Sequence, residues 1–284
     1  MRMRGSEAIS STAHYTGYIW GRNGLSHPEL ATREGRVLFE ALRPAMTLSA
    51  ILGGPTLESY LLARHRAIDA LLARAIDEDG VTQVIELACG LSPRGWRFAS
   101  RYGPELTYIE ADLPGMAGRK RRALARMGSL SERHRVEILD ALRDGGPGSL
   151  AALAETLNPD AGLAIITEGL LGYLEPAVVE SMWSRFARQL AAFRMGRYFA
   201  DIQLGDEAGA HVHAFRAVLS LFVRGRVHLH FTDAGDATAA LRRAGFSDAA
   251  VAPAAELAAA NDRCDPGAQL AHVLRAGVSR LERS

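Results

Sequence analysis

Acidic residues recur at one kind of place in this chain. Glu86 in "VIELACG", Glu110 and Asp112 in "YIEAD", Asp140 in "EILDA" and Glu168 in "IITEGLLGYL" each stand at or near the end of a short apolar run. Runs of that length bounded by turn residues read as buried strands. Ligands of open α/β sheets bind just beyond the carboxyl ends of such strands. A single carboxylate there could simply cap the helix that follows; four strand ends in succession point to one shared crevice. Gly90, in Cys89-Gly90-Leu91-Ser92-Pro93-Arg94-Gly95, supplies a sharp turn and a close backbone approach. A dinucleotide site would place GxGxxG here and seat a pyrophosphate on the helix N-terminus. Instead Pro93 removes an N–H and Arg94 adds bulk, which makes a poor pyrophosphate cradle. Asp112 follows Gly90 by 22 residues, close to the spacing of an acidic ribose binder, roughly 20 residues. The turn and this carboxylate together describe a nucleoside ligand without phosphates, of which S-adenosylmethionine is the expected case.

These residues need a scaffold, and the rhythm of the chain supplies one. "LESYLLARHRAIDALLARAIDEDG" carries Leu57, Leu61, Ile68, Leu71, Leu72 and Ile76 at helical spacing, and Gly80 stops it. From Val81 strands and helices alternate: "VTQVIEL", "LSPRGWRFASRY", "LTYIEAD", "GMAGRKRRALARMG", "HRVEILD", "SLAALAETL", "GLAIIT", "PAVVESMWSRFARQLAAF" and "RYFADIQL". This alternation predicts βαβ units, a parallel doubly wound sheet and helices on both faces. Terminal strands are expected near "DAAVAP" and "AHVLRAG". The expected architecture is α/β: a Rossmann-like nucleoside-binding domain over residues 81–284 and an N-terminal helical cap over residues 1–80.

Composition narrows the function classes. The 284 residues are 48% hydrophobic and 23% charged, with a formal net charge of +1. Near-zero charge argues against a dedicated nucleic-acid binder, and Arg119-Lys120-Arg121-Arg122 reads as a solvated helix face. No window reaches the ~18 apolar residues of a membrane span, and "MRMRGSEAISSTAHY" lacks the apolar segment of a signal peptide. The two cysteines, Cys89 and Cys264, stand far apart without CxxC or Cys/His spacing, so a reducing cytoplasm is expected and no metal site. His211 with His213 and the run "VHLH" could line one extended face, but metal binding there is the weaker reading. A homo-oligomer stays open.

"VIELACGLSPRGWRF", "YIEADLP", "ILDALRD" and "TEGLLGYLE" resemble the leucine carboxyl methyltransferase family. Together with "STAHYTGYIWGRNGLSHPEL" they look most like its tetracenomycin-type polyketide O-methyltransferase branch. The likeness covers roughly residues 10–205, and "ExxCGxxxR", the E-x-D strand end and "TEGLLxYL" are specific only in combination. The resemblance implies a class I methyltransferase using S-adenosylmethionine. By motif position it implies Glu86 and Gly90 at the methionine end of the cofactor, Asp112 at the ribose, and Asp140 with Ala141 at the adenine. It also implies Glu168 beside the ammonium and Arg64 at the cofactor carboxylate, with Arg66 the competing assignment for that last role. Arg94 matches the pattern in either a cofactor or a structural role.

The acceptor side rests on "TAHYTGYIWGRNGLSH". Its aromatic residues either pack an ordinary cap or form a lid over a small-molecule acceptor. In the lid reading Tyr18 and its neighbours stack on a flat substrate, Arg22 attracts an acid and His14 serves as base. Tyr173 is the other acceptor-side candidate. A carboxylate acceptor is ionised at neutral pH and needs no base, whereas a phenol, with a pKa of about 10, would benefit from one. The expected activity is therefore O-methylation of a small-molecule carboxylate or hydroxyl. Methylation of a protein or peptide carboxyl, and a nucleotide-binding or dehydrogenase module, are the alternatives. Cys89 reads as a small residue in a tight turn rather than a nucleophile.

Overall fold

The computed structural model describes residues 4–205, 228, 230–257 and 265–279, with side chains from Thr12 onward. Three helices come first: α1 (Arg4–Arg22), α2 (Arg33–Ile51) and α3 (Leu57–Asp77). Then β1 (Val81–Leu87), α4 (Arg94–Tyr102), β2 (Thr107–Asp112), α5 (Pro114–Arg126), β3 (His134–Ile138), α6 (Leu150–Ala154), β4 (Gly162–Thr167), α7 (Pro176–Leu190) and β5 (Met195–Ile202) alternate. The chain closes with α8 (Ala234–Arg243), β6 (Asp248–Pro253), α9 (Pro266–Leu270) and β7 (His272–Ser279).

The local signals act where the sequence places them. Thr56 and Ser59 form a capping box that starts α3. Pro176 and Pro114 occupy the first turns of α7 and α5, where a missing N–H costs nothing. The seven strands form one sheet in the order β3-β2-β1-β4-β5-β7-β6. The first five are mutually parallel, so their carboxyl ends share one edge. The all-parallel expectation fails at β7, which runs antiparallel to both β5 and β6. A parallel neighbour needs a helical crossover of a dozen or more residues. Among the described residues, the link before β7 carries a single 3-10 turn (Ala254–Glu256) and the five-residue α9, which packs on α3.

Alternation along each strand divides the core into two layers. Ile85, Leu87, Ile165 and Tyr198 face α7 and α8, where Trp183 stacks on Phe231 at 5.4 Å. Val84, Tyr108, Ala164 and Ile166 face the other way, against Leu61, Ile68 and Leu72 of α3 and Phe98 of α4. Helix α3, which the rhythm of the sequence groups with the cap, is therefore one of the helices that cover the sheet. Among the described residues, α1 and α2 lie beyond that layer, and Tyr15 and Tyr18 of α1 pack on Phe39 of α2. Among the described residues no helix is long and apolar enough to cross a membrane.

Candidate active site

The edge carrying the strand ends holds a cavity of about 560 Å³, within the usual range for small-molecule sites, roughly 300–1,000 Å³. Its floor is the turn after β1. Ala88 and Gly90 both take left-handed backbone angles, φ 51° and 53°. For Ala88 this is a strained conformation, of a kind that concentrates at functional sites. At Gly90 a side chain would also meet the Cβ of Ala13, 3.1 Å away on α1. Gly90→Ala is therefore expected to cost about 1–2 kcal/mol in backbone strain and to lift α1 from the turn. Urea unfolding and ligand titration on the same variant would check both effects; unchanged values in both would refute the close fit.

Asp112 closes β2 against this turn. Its Oδ2 accepts the Gly90 N–H at 2.8 Å and its Oδ1 the Leu113 N–H at 2.7 Å. A carboxylate has about four lone-pair sites, so acceptor capacity is left for a ligand in the cavity that it lines. Burial pushes the Asp112 carboxyl up, against the pull of those two N–H groups and of Lys120.

The opposite wall is a buried ionic network. Arg64 donates from Nε to Glu168 Oε1 at 3.2 Å and from Nη1 to Asp201 Oδ2 at 2.9 Å. Its Nη2 lies where a Cβ on Gly169 would come within 3.0 Å, so the glycine leaves that nitrogen room. Asp201 also accepts the Gly169 N–H at 2.6 Å. Glu168 Oε2 accepts from Arg94 at 2.7 Å and lies 2.8 Å from His65 Nδ1. Burial would raise the Glu168 carboxyl, but the charges of His65, Arg94 and Arg64 hold it well below the usual carboxylate range. The side of the cavity towards α1 is formed by Thr12, Thr16 and Trp20, spaced four residues apart and so on one helical face. Tyr173 donates to Thr12 Oγ1 at 2.7 Å.

The structure thus brings Arg64, Gly90, Asp112, Glu168 and Tyr173 together, and it separates the other candidates from them. Glu86 has the same strand parity as Val84, so its side chain points under α3 and α4. There it accepts from Arg94 at 2.7 Å and from the Tyr108 hydroxyl at 2.7 Å, and it does not line the cavity. Asp140 and Ala141 follow β3 on the correct edge but outside the cavity walls, and Asp140 accepts the Leu142 N–H at 3.0 Å. His14 faces α2, with Nδ1 3.0 Å from Thr32 Oγ1. Burial, and to a lesser degree Arg119, pushes its pKa down. Tyr18 packs on Phe39 at 5.3 Å rather than on the cavity. Arg22 bonds Glu58 at 3.2 Å. Arg66 lines a different cavity. Cys89 is buried in the turn and burial raises its thiol, which leaves it a poor nucleophile. His211, His213 and Cys264 lie outside the described residues, and no group of three or more metal-ligating side chains occurs among the described ones.

Several site residues carry no motif. Asp201 stands at the end of β5, so the strand-end rule, carried one strand further, would have found it. His65 and Asp69 share a face of α3 with an arginine-bearing wall, but their partners are distant in sequence and only the fold brings them together. Lys120 stands inside the basic run taken for a solvated face, yet it is fully buried.

The profile described as "Leucine carboxyl methyltransferase" matches residues 30–187. The chain belongs to the leucine carboxyl methyltransferase family. The family match runs from α2 through α7 and so takes in the Gly90 turn, Asp112 and Glu168. A protein of Mycobacterium sp. strain KMS, assigned as an S-adenosyl-L-methionine-dependent methyltransferase, is 38% identical over 156 residues, covering 54% of this chain and 48% of that one. A Streptomyces avermitilis protein with the same kind of assignment is 32% identical over 172 residues, covering 55% of this chain and 58% of that one. The matched stretch thus spans about half the length of these curated relatives. Among solved structures, a Thermobifida fusca protein assigned as a methyltransferase superposes with a TM-score of 0.65 at 15% identity, covering 98% of this chain and 100% of that one. A DUF574 family protein of Streptomyces avermitilis superposes with a TM-score of 0.60 at 13% identity, covering 93% and 96%. At such identities the likeness is one of fold, and the fold is that of the class I methyltransferases.

Proposed function

We propose that this chain is an S-adenosylmethionine-dependent O-methyltransferase whose acceptor is a small-molecule carboxylate. The observation that carries the reading is Asp112, held against the Gly90 turn with lone pairs facing a cavity whose far wall is Arg64 and Glu168. These groups fit the cofactor. Asp112 would hold the ribose diol, Glu168 the ammonium, and the third nitrogen of Arg64, beside Gly169, the carboxylate. Exposed Leu113 and Leu142, next to the β2 and β3 ends, offer apolar surface for the adenine. When bound, the cofactor supplies a methyl group activated by its sulfonium. The protein's part is then to bring an acceptor oxygen into line and exclude water.

The choice of acceptor rests on the groups beside the cavity. His14, the expected base, is turned to Thr32. Tyr173 is in the wall, but burial raises its pKa and it stays a protonated hydroxyl. A carboxylate acceptor needs neither as base, which favours it over a phenol. The tetracenomycin-type likeness of the opening segment supports a polyketide or similar acid over a protein chain terminus. His14→Gln should therefore leave turnover on a carboxylate acceptor within about twofold; a loss of the ~10²-fold or more typical of a missing base would restore His14 to catalysis.

The primary test is a thermal-shift and calorimetric screen with S-adenosylmethionine, S-adenosylhomocysteine and NAD. Stabilisation by the first two is expected. A response to NAD alone would overturn the reading in favour of a dinucleotide module.

A further inference from the structure

The most basic stretch of the chain hides a residue of a different kind. Of Arg119-Lys120-Arg121-Arg122, Arg119 lines the cavity and Lys120 is fully buried. A buried ammonium needs partners, and Lys120 has two. It forms an ion pair with Glu110 of β2, and its Nζ donates to the Ser92 carbonyl at 2.5 Å. Glu110 is itself fixed from the other side, its Oε1 lying 2.8 Å from His134 Nε2. Gly95 passes so close that any side chain there would overlap the Glu110 carboxylate. Ser92 lies in the middle of the turn whose Gly90 N–H bonds Asp112, so Lys120 links α5 and β2 to that turn at its crest.

We propose that Lys120 is a positioning residue for the cofactor-binding turn: its ammonium holds the Ser92 carbonyl so that residues 89–94 keep Gly90 against Asp112. This rests on the cofactor reading above. The charge has a second consequence. Asp112 is faced by the Gly90 and Leu113 N–H groups, by Lys120 from α5 and by Glu86 from β1; Cys89 of the turn and Arg119 of α5 line the same cavity, while Ala13 of α1 packs on the turn without charge. Burial and Glu86 favour the protonated form of Asp112; the two N–H groups and Lys120 oppose them. Removing the ammonium therefore makes Asp112 protonate at higher pH.

The test is calorimetric titration of the full chain with S-adenosylhomocysteine from pH 5.5 to 8.5. The variants are Lys120→Met and the double variant Lys120→Met/Glu110→Gln. The double variant leaves no stranded carboxylate, a replacement that buried ion pairs commonly tolerate. Both should bind roughly tenfold or more weakly at pH 7.5, the scale of one lost charge-assisted hydrogen bond. Both should also show the acid-side loss of binding displaced to higher pH. Wild-type affinity in a folded double variant would overturn the proposal. So would weakened binding with an unmoved acid limb, which is the signature of packing alone. Failure of the wild-type chain to bind S-adenosylhomocysteine at any pH would refute the cofactor reading, and the proposal with it.

Discussion

Asp112→Ala should weaken S-adenosylhomocysteine binding at neutral pH by roughly a hundredfold or more while leaving the chain folded. Two hydrogen bonds from a diol to one carboxylate, each worth about 1.5–3 kcal/mol when the acceptor is charged, account for that magnitude. The structural cost is smaller, because the Gly90 and Leu113 N–H groups that Asp112 now accepts border the cavity and can be met by water. Asp112→Asn is the sharper variant. It keeps the shape but turns one acceptor into a donor that must face either an N–H group or the ligand. The wild-type protein should lose affinity on acidification. Burial raises the Asp112 carboxyl above its ordinary value, so the acceptor form is lost, as pH falls, at higher pH than for an ordinary carboxylate. Calorimetry on the alanine variant, with a melting curve to confirm folding, decides the matter. Unchanged affinity would remove Asp112 from the site.

How much of this was visible in the sequence differs from residue to residue. Asp112 and Gly90 were legible because a turn glycine and a strand-end carboxylate stand at a spacing that the fold dictates. Arg64 could be separated from Arg66 only by the pitch of α3, which turns one into the cavity and the other towards a second one. Glu86 misled because strand-end position says which edge a residue occupies, not which face. One residue from the end of β1, its parity directs it beneath α4. His14 and Tyr18 misled for a related reason. The α1 segment does border the cavity, but through Thr12, Thr16 and Trp20, and the aromatic and imidazole groups of the neighbouring face pack on α2. The burial of Lys120 left only a faint trace in the sequence: it shares the helical face of Ala117, Ala123 and Leu124, but a lysine flanked by three arginines carries no local sign that its ammonium meets a carboxylate from β2. The reversed β7 was hidden likewise, because strand direction depends on how the intervening link packs.

Arg94→Met should have the largest effect on stability of any single change at this site. Arg94 is fully buried and holds Asp69 at 2.6 Å, Glu86 at 2.7 Å and Glu168 at 2.7 Å. Its removal leaves those partners unequally provided for. Asp69 keeps Arg97 at 2.6 Å, and Glu168 keeps Arg64 and His65. Among the described residues, Glu86 keeps the Tyr108 hydroxyl alone. Breaking a buried pair from one side costs about 3–5 kcal/mol, a large part of the total stability of a domain. Arg94→Lys should do little better, since one compact ammonium cannot reproduce a planar fork that reaches three carboxylates. The stranded charge identifies the rescue: Arg94→Met/Glu86→Gln should recover a substantial part of the loss. The pH dependence follows with a definite sign. Asp69 and Glu168 are buried, which raises them, but their cationic neighbours outweigh this and hold both below their ordinary values. Their contribution is therefore full above the unfolded-state values, about pH 4, and is lost as pH falls towards and through the lower folded values. Wild type and Arg94→Met should accordingly differ by a constant full amount in urea midpoint above about pH 5 and begin to converge only below about pH 4, as pH falls through the lower folded values. A difference independent of pH would mean that Arg94 contributes packing alone, and a double variant no more stable than the single one would show that Glu86 is not the charge it neutralises.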